Sequence, residues 1–207
     1  MDQLHTPSDE EVLPWLKPGL RLRLASASPR RLALLQQVGI TPEVVPAQVD
    51  ERWQPGESVA AYTLRLAADK AQAVMQPGLD LCLGSDTAIA LDGEAIGKPV
   101  DENDARRTLA RLAGRRHEVI TGIAVIRGRD GVRQQTTVTS RVTFRDLSTA
   151  EIQRYVASGE PMDKAGSYAI QGLGAFMIAH HEGSCSSTIG LPLFETLGLI
   201  SWALQHP

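Results

Sequence analysis

The sequence lacks the features that mark exported, membrane-spanning or zinc-binding proteins. It contains two cysteines, Cys82 and Cys185, and neither belongs to a short Cys/His spacing typical of a zinc site. No run approaches the roughly 18 apolar residues of a membrane span, and residues 1–19 carry neither the basic nor the apolar region of a signal peptide. These absences indicate a reduced, cytoplasmic protein without a membrane partner.

A surplus of charge of one sign is also missing, since 21 basic and 24 acidic side chains give a formal net charge of −3. A nucleic acid polymer is therefore disfavoured as a partner, and any anion must be bound by a local cluster of charges. Neither a Gly-x-x-x-x-Gly-Lys-Ser/Thr loop nor a Rossmann glycine fingerprint occurs, so neither common nucleotide-binding fold is indicated. The length of 207 residues predicts one domain over residues 20–207, after a loosely ordered extension over residues 1–19.

Residues 20–39 are predicted to form a strand that leads directly into a helix. Leucines alternate with arginines in residues 20–24, which predicts a strand with one buried face, and Ser28 is expected to cap the helix. The free N–H groups at a helix N-terminus suit phosphate, and Arg30 and Arg31 would add charge-assisted contacts there. The alternative interpretation is an ordinary capped helix whose two arginines face solvent.

Two further segments carry charged side chains with more than one interpretation. Asp50 and Glu51 follow a predicted strand over residues 43–49, where they could hold a divalent cation or form a solvated acidic loop. Lys70 lies on a predicted helix over residues 58–75 and is expected at the surface unless an anionic group lies beside it. Neither segment alone decides between a structural role and a binding role.

The segment around Asp86 is more informative. Apolar runs at residues 81–83 and 88–91 predict two short strands, separated by the sequence Gly-Ser-Asp-Thr. An aspartate at such a place is costly to bury unless it is paired, bound to a metal or catalytic, and the alternative is a turn aspartate that bonds its own backbone. Lys98 follows a predicted hairpin and could reach the same cleft from the end of the return strand.

The second half of the chain is predicted to be largely structural. A helix is expected over residues 101–113 and an antiparallel pair over residues 119–126 and 132–144, with His117 as a hydrogen-bonding residue rather than a ligand. The exception is residues 162–172, which combine an acid, a base, two glycines and an amide with little regular periodicity. Such segments are where binding loops are found.

Basic and acidic side chains at predicted strand ends and loops suit a polyphosphate substrate. The basic residues are Arg30, Arg31, Lys70, Lys98 and Lys164, and the acidic residues are Glu51, Asp86 and Asp163. The cations would neutralise a phosphate chain, the carboxylates would hold Mg²⁺, and one carboxylate could activate water. The sequence alone does not show that these groups converge in space.

The pattern as a whole resembles the Maf (septum formation protein) family of nucleoside triphosphate pyrophosphatases. Eight motifs carry the resemblance in the family's order: Ser26-Ala27-Ser28-Pro29-Arg30-Arg31, Asp50-Glu51, Arg65-Leu66-Ala67 with Lys70-Ala71, Ser85-Asp86-Thr87, Gly97-Lys98-Pro99, Thr121-Gly122, Asp163-Lys164-Ala165-Gly166 with Ile170-Gln171-Gly172, and Gly190-Leu191-Pro192-Leu193. The resemblance covers residues 20–204. It implies an α/β fold with a long mixed, twisted sheet flanked by helices and a central cleft between two lobes, as in inosine triphosphate pyrophosphatases.

The resemblance also implies an activity and a role for each matching residue. The activity is hydrolysis of a nucleoside triphosphate between the α and β phosphates, with a divalent metal cation, Mg²⁺ or Mn²⁺, as cofactor. Asp86 matches the proton acceptor. The positions tied to base selection are Arg30, Thr87 and Gln171, and the phosphate-side positions are Ser26, Arg31, Lys70, Lys98 and Lys164. Glu51 is the leading metal ligand, ahead of Asp163 and Asp86.

Within the family, the motifs around Lys164 and Gln171 resemble the branch that acts on dTTP and UTP. The branch that acts on 7-methyl-GTP lacks both motifs, so a 7-methyl-GTP pyrophosphatase is a weaker alternative. A second alternative, from another functional class, is a regulator of cell division that senses a nucleotide without hydrolysing it. The presence of Asp86 counts against a pure sensor, because such a protein needs no carboxylate to activate water. The sequence leaves open whether the chain forms a homodimer.

Overall fold

The computed structural model describes residues 13, 16 and 19–205, which form a mixed β-sheet flanked by α-helices. Within these residues the strands are β1 (Leu22–Leu24), β2 (Glu43–Val44), β3 (Leu81–Leu91), β4 (Glu94–Ile96), β5 (Arg116–Arg127), β6 (Arg133–Phe144) and β7 (Ile178–Glu182). The helices are α1 (Pro29–Gln37), α2 (Val59–Ala73), α3 (Glu102–Leu112), α4 (Thr149–Ala157), α5 (Cys185–Ile189) and α6 (Leu193–Gln205). Short 3₁₀ turns at Glu160–Asp163, Ala165–Ser167 and Leu173–Met177 interrupt the chain between α4 and β7.

The strand order is β2-β1-β3-β5-β6-β7, with β4 paired to β3. Strand β1 is parallel to β2 and β3, whereas β4, β5, β6 and β7 each pair in antiparallel fashion with their neighbours. The predicted α/β fold with a long mixed sheet is therefore confirmed. None of the helices in the described part of the chain is long and apolar enough to cross a membrane.

Strand β3 is continuous, and the predicted break at its Gly-Ser-Asp-Thr sequence is wrong. The reason is its pairing: β5 runs along one edge of β3 from Leu81 to Ala90, so the polar positions are held in the ladder. Asp86 lies in mid-strand opposite Gly122.

The other edge of β3 is paired only at its two ends among the described residues. Strand β1 pairs with residues 81–83 and strand β4 with residues 89–91, which leaves residues 84–88 without a strand partner on that side. This gap in the sheet is the floor of the cavity described below.

Helix α2 packs against β3 and β5 at two glycines. A Cβ atom at Gly84 would lie 2.0 Å from the Ala67 carbonyl oxygen, and one at Gly122 would lie 2.4 Å from the Thr63 carbonyl oxygen. Only glycine permits so close an approach of helix and sheet. As a result, Lys70 on α2 lies beside Asp86 on β3.

Two separate hydrophobic clusters occupy the two ends of β3. The proximal core includes Leu81 and Leu83, together with buried residues of α1 and α6. The distal core includes Ile89 and Leu91, together with buried residues of α3 and α4. This division agrees with the predicted pair of lobes on either side of a cleft.

The structure corrects several local predictions in the first half of the chain. Arg23 is buried rather than solvent-facing, because β1 is an interior strand, and it donates hydrogen bonds to Glu43 Oε2 and the Val74 carbonyl oxygen. Strand β2 ends at Val44, and Pro46, which lacks an N–H group, cannot extend the ladder. Ser28 is the N-cap residue of α1, but its side chain makes no capping hydrogen bond.

The ends of the chain add two observations. The predicted loose extension over residues 1–19 lies outside the described residues, apart from residues 13, 16 and 19, and Leu16 packs against the proximal core. Cys185 begins the short helix α5. Both cysteines are free thiols.

Candidate functional site

The gap in the sheet opens into a cavity of about 790 Å³, and all eleven residues predicted to form the site line it. They are Ser26, Arg30, Arg31, Glu51, Lys70, Asp86, Thr87, Lys98, Asp163, Lys164 and Gln171. The structure therefore brings together groups that the sequence could only place on separate elements. We call Glu51, Lys70 and Asp86 the carboxylate wall, and Arg30, Asp163, Lys164 and Gln171 the loop wall.

Lys70 is the centre of the carboxylate wall. Its ammonium nitrogen Nζ lies 2.7 Å from Glu51 Oε1 and 2.7 Å from Asp86 Oδ1. The side chains of Lys70 and Asp86 are only 11% and 13% exposed, so this contact is largely shielded from water. Lys70 is therefore buried. It was expected at the surface unless an anionic group lay beside it, and two such groups do, Glu51 and Asp86.

The same helix also holds the backbone next to Glu51. The Tyr62 hydroxyl donates to the Glu51 carbonyl oxygen at 3.0 Å, and Arg65 donates to the Arg52 carbonyl oxygen at 3.1 Å. The hydrogen bond from Lys70 lowers the pKa of Glu51, and the charges of Lys70, Lys98 and Arg31 lower it further. Glu51 is consequently held as a carboxylate at neutral pH.

Arg31 lines the cavity and forms hydrogen bonds with three separate segments of the chain. Its guanidinium donates to the Gly190 carbonyl oxygen at 2.8 Å, to Ser26 Oγ at 2.9 Å and to Thr87 Oγ1 at 3.4 Å. Burial lowers the pKa of Arg31 and the charge of Asp86 opposes that shift, but the guanidinium remains charged at any physiological pH. A fixed positive charge therefore lies beside the first turn of α1.

A chain of hydroxyl groups fixes the hydrogen-bonding role of Thr87. Thr121 donates its single hydroxyl proton to the Ser187 carbonyl oxygen at 2.9 Å, so it must accept from Thr87 Oγ1, which lies 3.0 Å away. Thr87 has then no proton left to donate and can only accept, as it does from Arg31.

The loop wall is more open than the carboxylate wall. Asp163, with 67% of its side chain exposed, lies 3.4 Å from Arg30 Nη1 and 2.5 Å from Lys164 Nζ. Burial opposes ionisation of Asp163, but the nearby Lys164 and Arg30 leave its pKa below the usual value. Asp163 is thus already paired with two cations. Gln171 and Lys98 are exposed at the rim.

Two aromatic residues that line the cavity were not predicted from the sequence. The rings of Trp53 and Tyr62 stack with centroids 4.3 Å apart, and both line the cavity. Tyr62 could have been suspected from its place two turns before Lys70 on the same helix, whereas nothing in the sequence around Trp53 indicates its position.

His117, predicted to be a hydrogen-bonding residue, is confirmed as one. It is buried in the distal core, where its Nε2 lies 2.9 Å from the hydroxyl of Tyr168, a residue that lines the cavity. Burial lowers the pKa of His117 to about 4. The imidazole is therefore neutral at physiological pH and supports the base of the loop wall.

The carboxylates suit a metal ion that takes few ligands from the protein. Among residues 13, 16 and 19–205, no group of three or more His, Cys, Asp and Glu side chains could hold a metal ion. Glu51 and Asp86 nevertheless point at one place, where they share the ammonium of Lys70. Mg²⁺ typically binds one or two carboxylates and completes its shell with water and phosphate oxygens, so these two residues fit such an ion.

Comparison with known proteins identifies the family. The model of the family described as "Maf-like protein" matches residues 21–203. The chain belongs to this family. A Maf-family relative from an Anaeromyxobacter species, named dTTP/UTP pyrophosphatase, is 52% identical over 190 residues, which are 90% of this chain and 91% of the relative. Another of the same name, from Myxococcus xanthus, is 49% identical over 185 residues, which are 88% of this chain and 92% of the relative.

A solved structure of a nucleoside-triphosphatase, or dITP/XTP pyrophosphatase, from Mycobacterium abscessus is also similar. It is 14% identical and covers 89% of this chain and 97% of its own, with a TM-score of 0.41.

Proposed function

We propose that this Maf-family protein hydrolyses nucleoside triphosphates, with dTTP and UTP favoured, to the monophosphate and pyrophosphate. The observation that carries the proposal is the convergence of Arg31, Lys70 and Lys98 with Asp86 in one cavity. The names of the relatives, dTTP/UTP pyrophosphatase, support the choice of nucleotide. In this reaction water attacks the α phosphorus, the bond from the bridging oxygen to that phosphorus breaks, and pyrophosphate leaves.

Asp86 is the residue to which we assign the proton of the attacking water. Its Oδ1 accepts a hydrogen bond from Lys70, which fixes the position of the carboxylate, and its other oxygen is left for the water. Lys70, Lys98, Lys164 and Arg31 then stabilise the negative charge that develops on the leaving pyrophosphate. Ser26 adds a hydroxyl beside Arg31 on the same side of the cavity.

We further propose that a divalent cation, Mg²⁺ or Mn²⁺, takes part, with Glu51 as its leading protein ligand. When bound, such an ion neutralises charge on phosphate oxygens. Asp163 remains a weaker ligand candidate, because its two oxygens already face Arg30 and Lys164. Lys70 holds the carboxylates of Glu51 and Asp86 close together.

Base selection is assigned to the other side of the cavity. The amide of Gln171 can donate and accept in fixed directions, which suits reading the edge of a pyrimidine. Arg30 lines the same cavity, and Thr87 can only accept a hydrogen bond.

The decisive experiment is a panel of nucleotides assayed for pyrophosphate release with Mg²⁺. We expect dTTP and UTP to be hydrolysed faster than purine nucleotides and faster than 7-methyl-GTP. Faster turnover of 7-methyl-GTP would support the other branch of the family. Tight nucleotide binding without pyrophosphate release would support the alternative of a non-catalytic sensor in cell division.

The proposed place of action is the cytoplasm, with residues 20–207 as one functional domain. Support for a reducing compartment comes from Cys82 and Cys185, which are both free thiols. Fractionation of cells that express the tagged chain tests the location.

A further inference from the structure

Glu160 lies behind the loop wall, outside the set of residues that line the cavity. Its carboxylate accepts three hydrogen bonds. Oε1 accepts from the Tyr155 hydroxyl at 2.8 Å and from the Gly174 N–H at 3.0 Å, and Oε2 accepts from the Leu173 N–H at 2.8 Å. A carboxylate with this many donors is a strong anchor for the backbone that supplies them.

The anchored backbone immediately follows Gln171. The chain passes so close to Glu160 that a Cβ atom at Gly172 would lie 2.3 Å from Glu160 Oε2. On the other side of Gln171, the Ala169 N–H donates to the Tyr155 hydroxyl at 3.3 Å. The pair Tyr155 and Glu160 therefore ties down the chain both before and after Gln171.

The backbone carbonyl group of Glu160 makes a separate contact. Its carbonyl oxygen accepts from Lys164 Nζ at 2.7 Å. A change confined to the side chain therefore leaves the contact with Lys164 in place. The side chain can be tested for its effect on Gln171 without removing this support of the phosphate-side lysine.

Burial opposes ionisation of Glu160, but the N–H groups of Gly174 and Leu173 and the hydroxyl of Tyr155 lower its pKa below the usual value. The Glu160 side chain is thus a carboxylate anion under assay conditions. It has no proton of its own, so both oxygen atoms only accept hydrogen bonds. Glutamine in its place would turn an NH₂ group towards a backbone N–H or the Tyr155 hydroxyl, which already donates.

We propose that Glu160 is a positioning residue for base selection: it holds Gln171 in the orientation that reads the base. The inference rests on the proposed function, because it assumes that Gln171 faces the base of a bound nucleotide. Glu160 itself touches no substrate and acts only through the backbone of residues 169–174.

The test is Glu160→Gln, with kcat and KM measured for UTP and for GTP. Loss of charge-assisted hydrogen bonds should reduce the ratio of kcat/KM for UTP over GTP by about tenfold. The change should appear mainly in KM for UTP, and kcat should fall less than about threefold because Lys164 keeps its support. In a Gln171→Ala background, Glu160→Gln should change the ratio no further, since both act on one recognition step.

A structural readout accompanies the kinetics. Hydrogen exchange at the N–H groups of Leu173 and Gly174 should accelerate in Glu160→Gln, and Tyr155→Phe should give a smaller effect in the same direction. The matched control is Glu182→Gln, which removes a carboxylate that contacts Arg116 and Arg141 far along β7 and outside the cavity lining. The control should leave both the nucleotide ratio and the exchange rates unchanged.

The inference would be overturned if Glu160→Gln lowered UTP and GTP hydrolysis equally, or if its effect on the ratio persisted undiminished in Gln171→Ala. If Glu160→Gln folds poorly, the ratio of kcat/KM for UTP over GTP is measured in Tyr155→Phe instead, and that ratio decides. If the wild-type protein released no pyrophosphate, the proposed function would be wrong. The ratio of dissociation constants for UTP and GTP would then decide whether Glu160 acts on base recognition.

Discussion

The two walls of the cavity are built in different ways. In the carboxylate wall, Lys70 and Asp86 are carried by α2 and β3, which pack closely at Gly84 and Gly122, and Glu51 lies on irregular chain. Apart from Arg30 on α1, the loop wall is carried by 3₁₀ turns and irregular chain, and its backbone is held by side chains such as Glu160. The proposed general base, Asp86, thus lies on a regular strand, whereas Gln171, proposed to read the base, lies in an irregular segment held by side-chain hydrogen bonds.

The largest expected effect comes from Asp86→Asn on the carboxylate wall. Removal of a general base should lower turnover of dTTP by about 10²- to 10⁴-fold while substrate binding persists. Pyrophosphate release and nucleotide affinity measure the two properties separately. The control is Asp69→Asn, on α2 but outside the cavity lining, which should turn over normally. Near-normal turnover of Asp86→Asn would move the role to another carboxylate, with Glu51 the first candidate.

Gly84→Ala tests whether backbone packing fixes the carboxylate wall. The added Cβ would lie 2.0 Å from the Ala67 carbonyl oxygen and 2.8 Å from the Ala71 nitrogen, so α2 must move. We expect a loss of about 3 kcal/mol or more in the free energy of unfolding, measured with urea.

Gly198→Ala is the matched control, because nothing lies within 4 Å of a Cβ at that position in α6. It should stabilise the protein by about 0.5–1 kcal/mol, since alanine favours a helix over glycine. Equal stability of Gly84→Ala and the wild type would show that the close approach of α2 is not required.

Acid should weaken the support of the loop wall through His117. Its pKa is about 4 in the folded protein and 6.5 in the absence of the fold, so the unfolded chain binds the proton first as the pH falls. Stability contributed by neutral His117 is complete above pH 6.5 and is lost as the pH falls towards 4, by about 3 kcal/mol.

Urea unfolding at several pH values between 7 and 4 measures this loss. His117→Gln should reduce the slope of stability against pH, whereas His180→Gln, at an exposed position of β7, should not. An unchanged slope in His117→Gln would assign the acid sensitivity to other groups.

The smallest effect is expected for Asp163→Asn on the loop wall. The Asp163 side chain is 67% exposed in its ion pairs with Arg30 and Lys164, and such solvent-accessible pairs contribute about 1 kcal/mol or less to stability. Thermal unfolding should therefore change little, and turnover of dTTP should fall far less than in Asp86→Asn. A loss of turnover as large as that of Asp86→Asn would instead make Asp163 a metal ligand or a second base.

The sequence predicted the members of the site better than it predicted their surroundings. All eleven proposed residues line the cavity: eight were named from their charge and position, and Ser26, Thr87 and Gln171 from the resemblance to the Maf family. The continuity of β3 through Asp86 was missed, because local polarity suggested a break and only the long-range pairing with β5 overrides it. Burial of Arg23 was missed for the same reason, since an interior strand position is set by distant neighbours.

The dual contact of Lys70 could not be derived from periodicity either. Its place between Glu51 and Asp86 depends on the distance between helix and sheet, which two glycines in different strands determine together. A pattern along one segment carries no information on such a distance. Trp53 lines the cavity for a similar reason, through its stacking on Tyr62.

The gap in the sheet has a consequence for self-association as well. An unpaired strand edge is a template on which another chain can add a strand and begin to aggregate. In β3 the free edge is confined to residues 84–88, because β1 and β4 cover the rest of the same side. An incoming strand would meet these two neighbours before it could form a ladder. The gap that opens into the cavity therefore leaves β3 without an edge long enough for another chain to pair with.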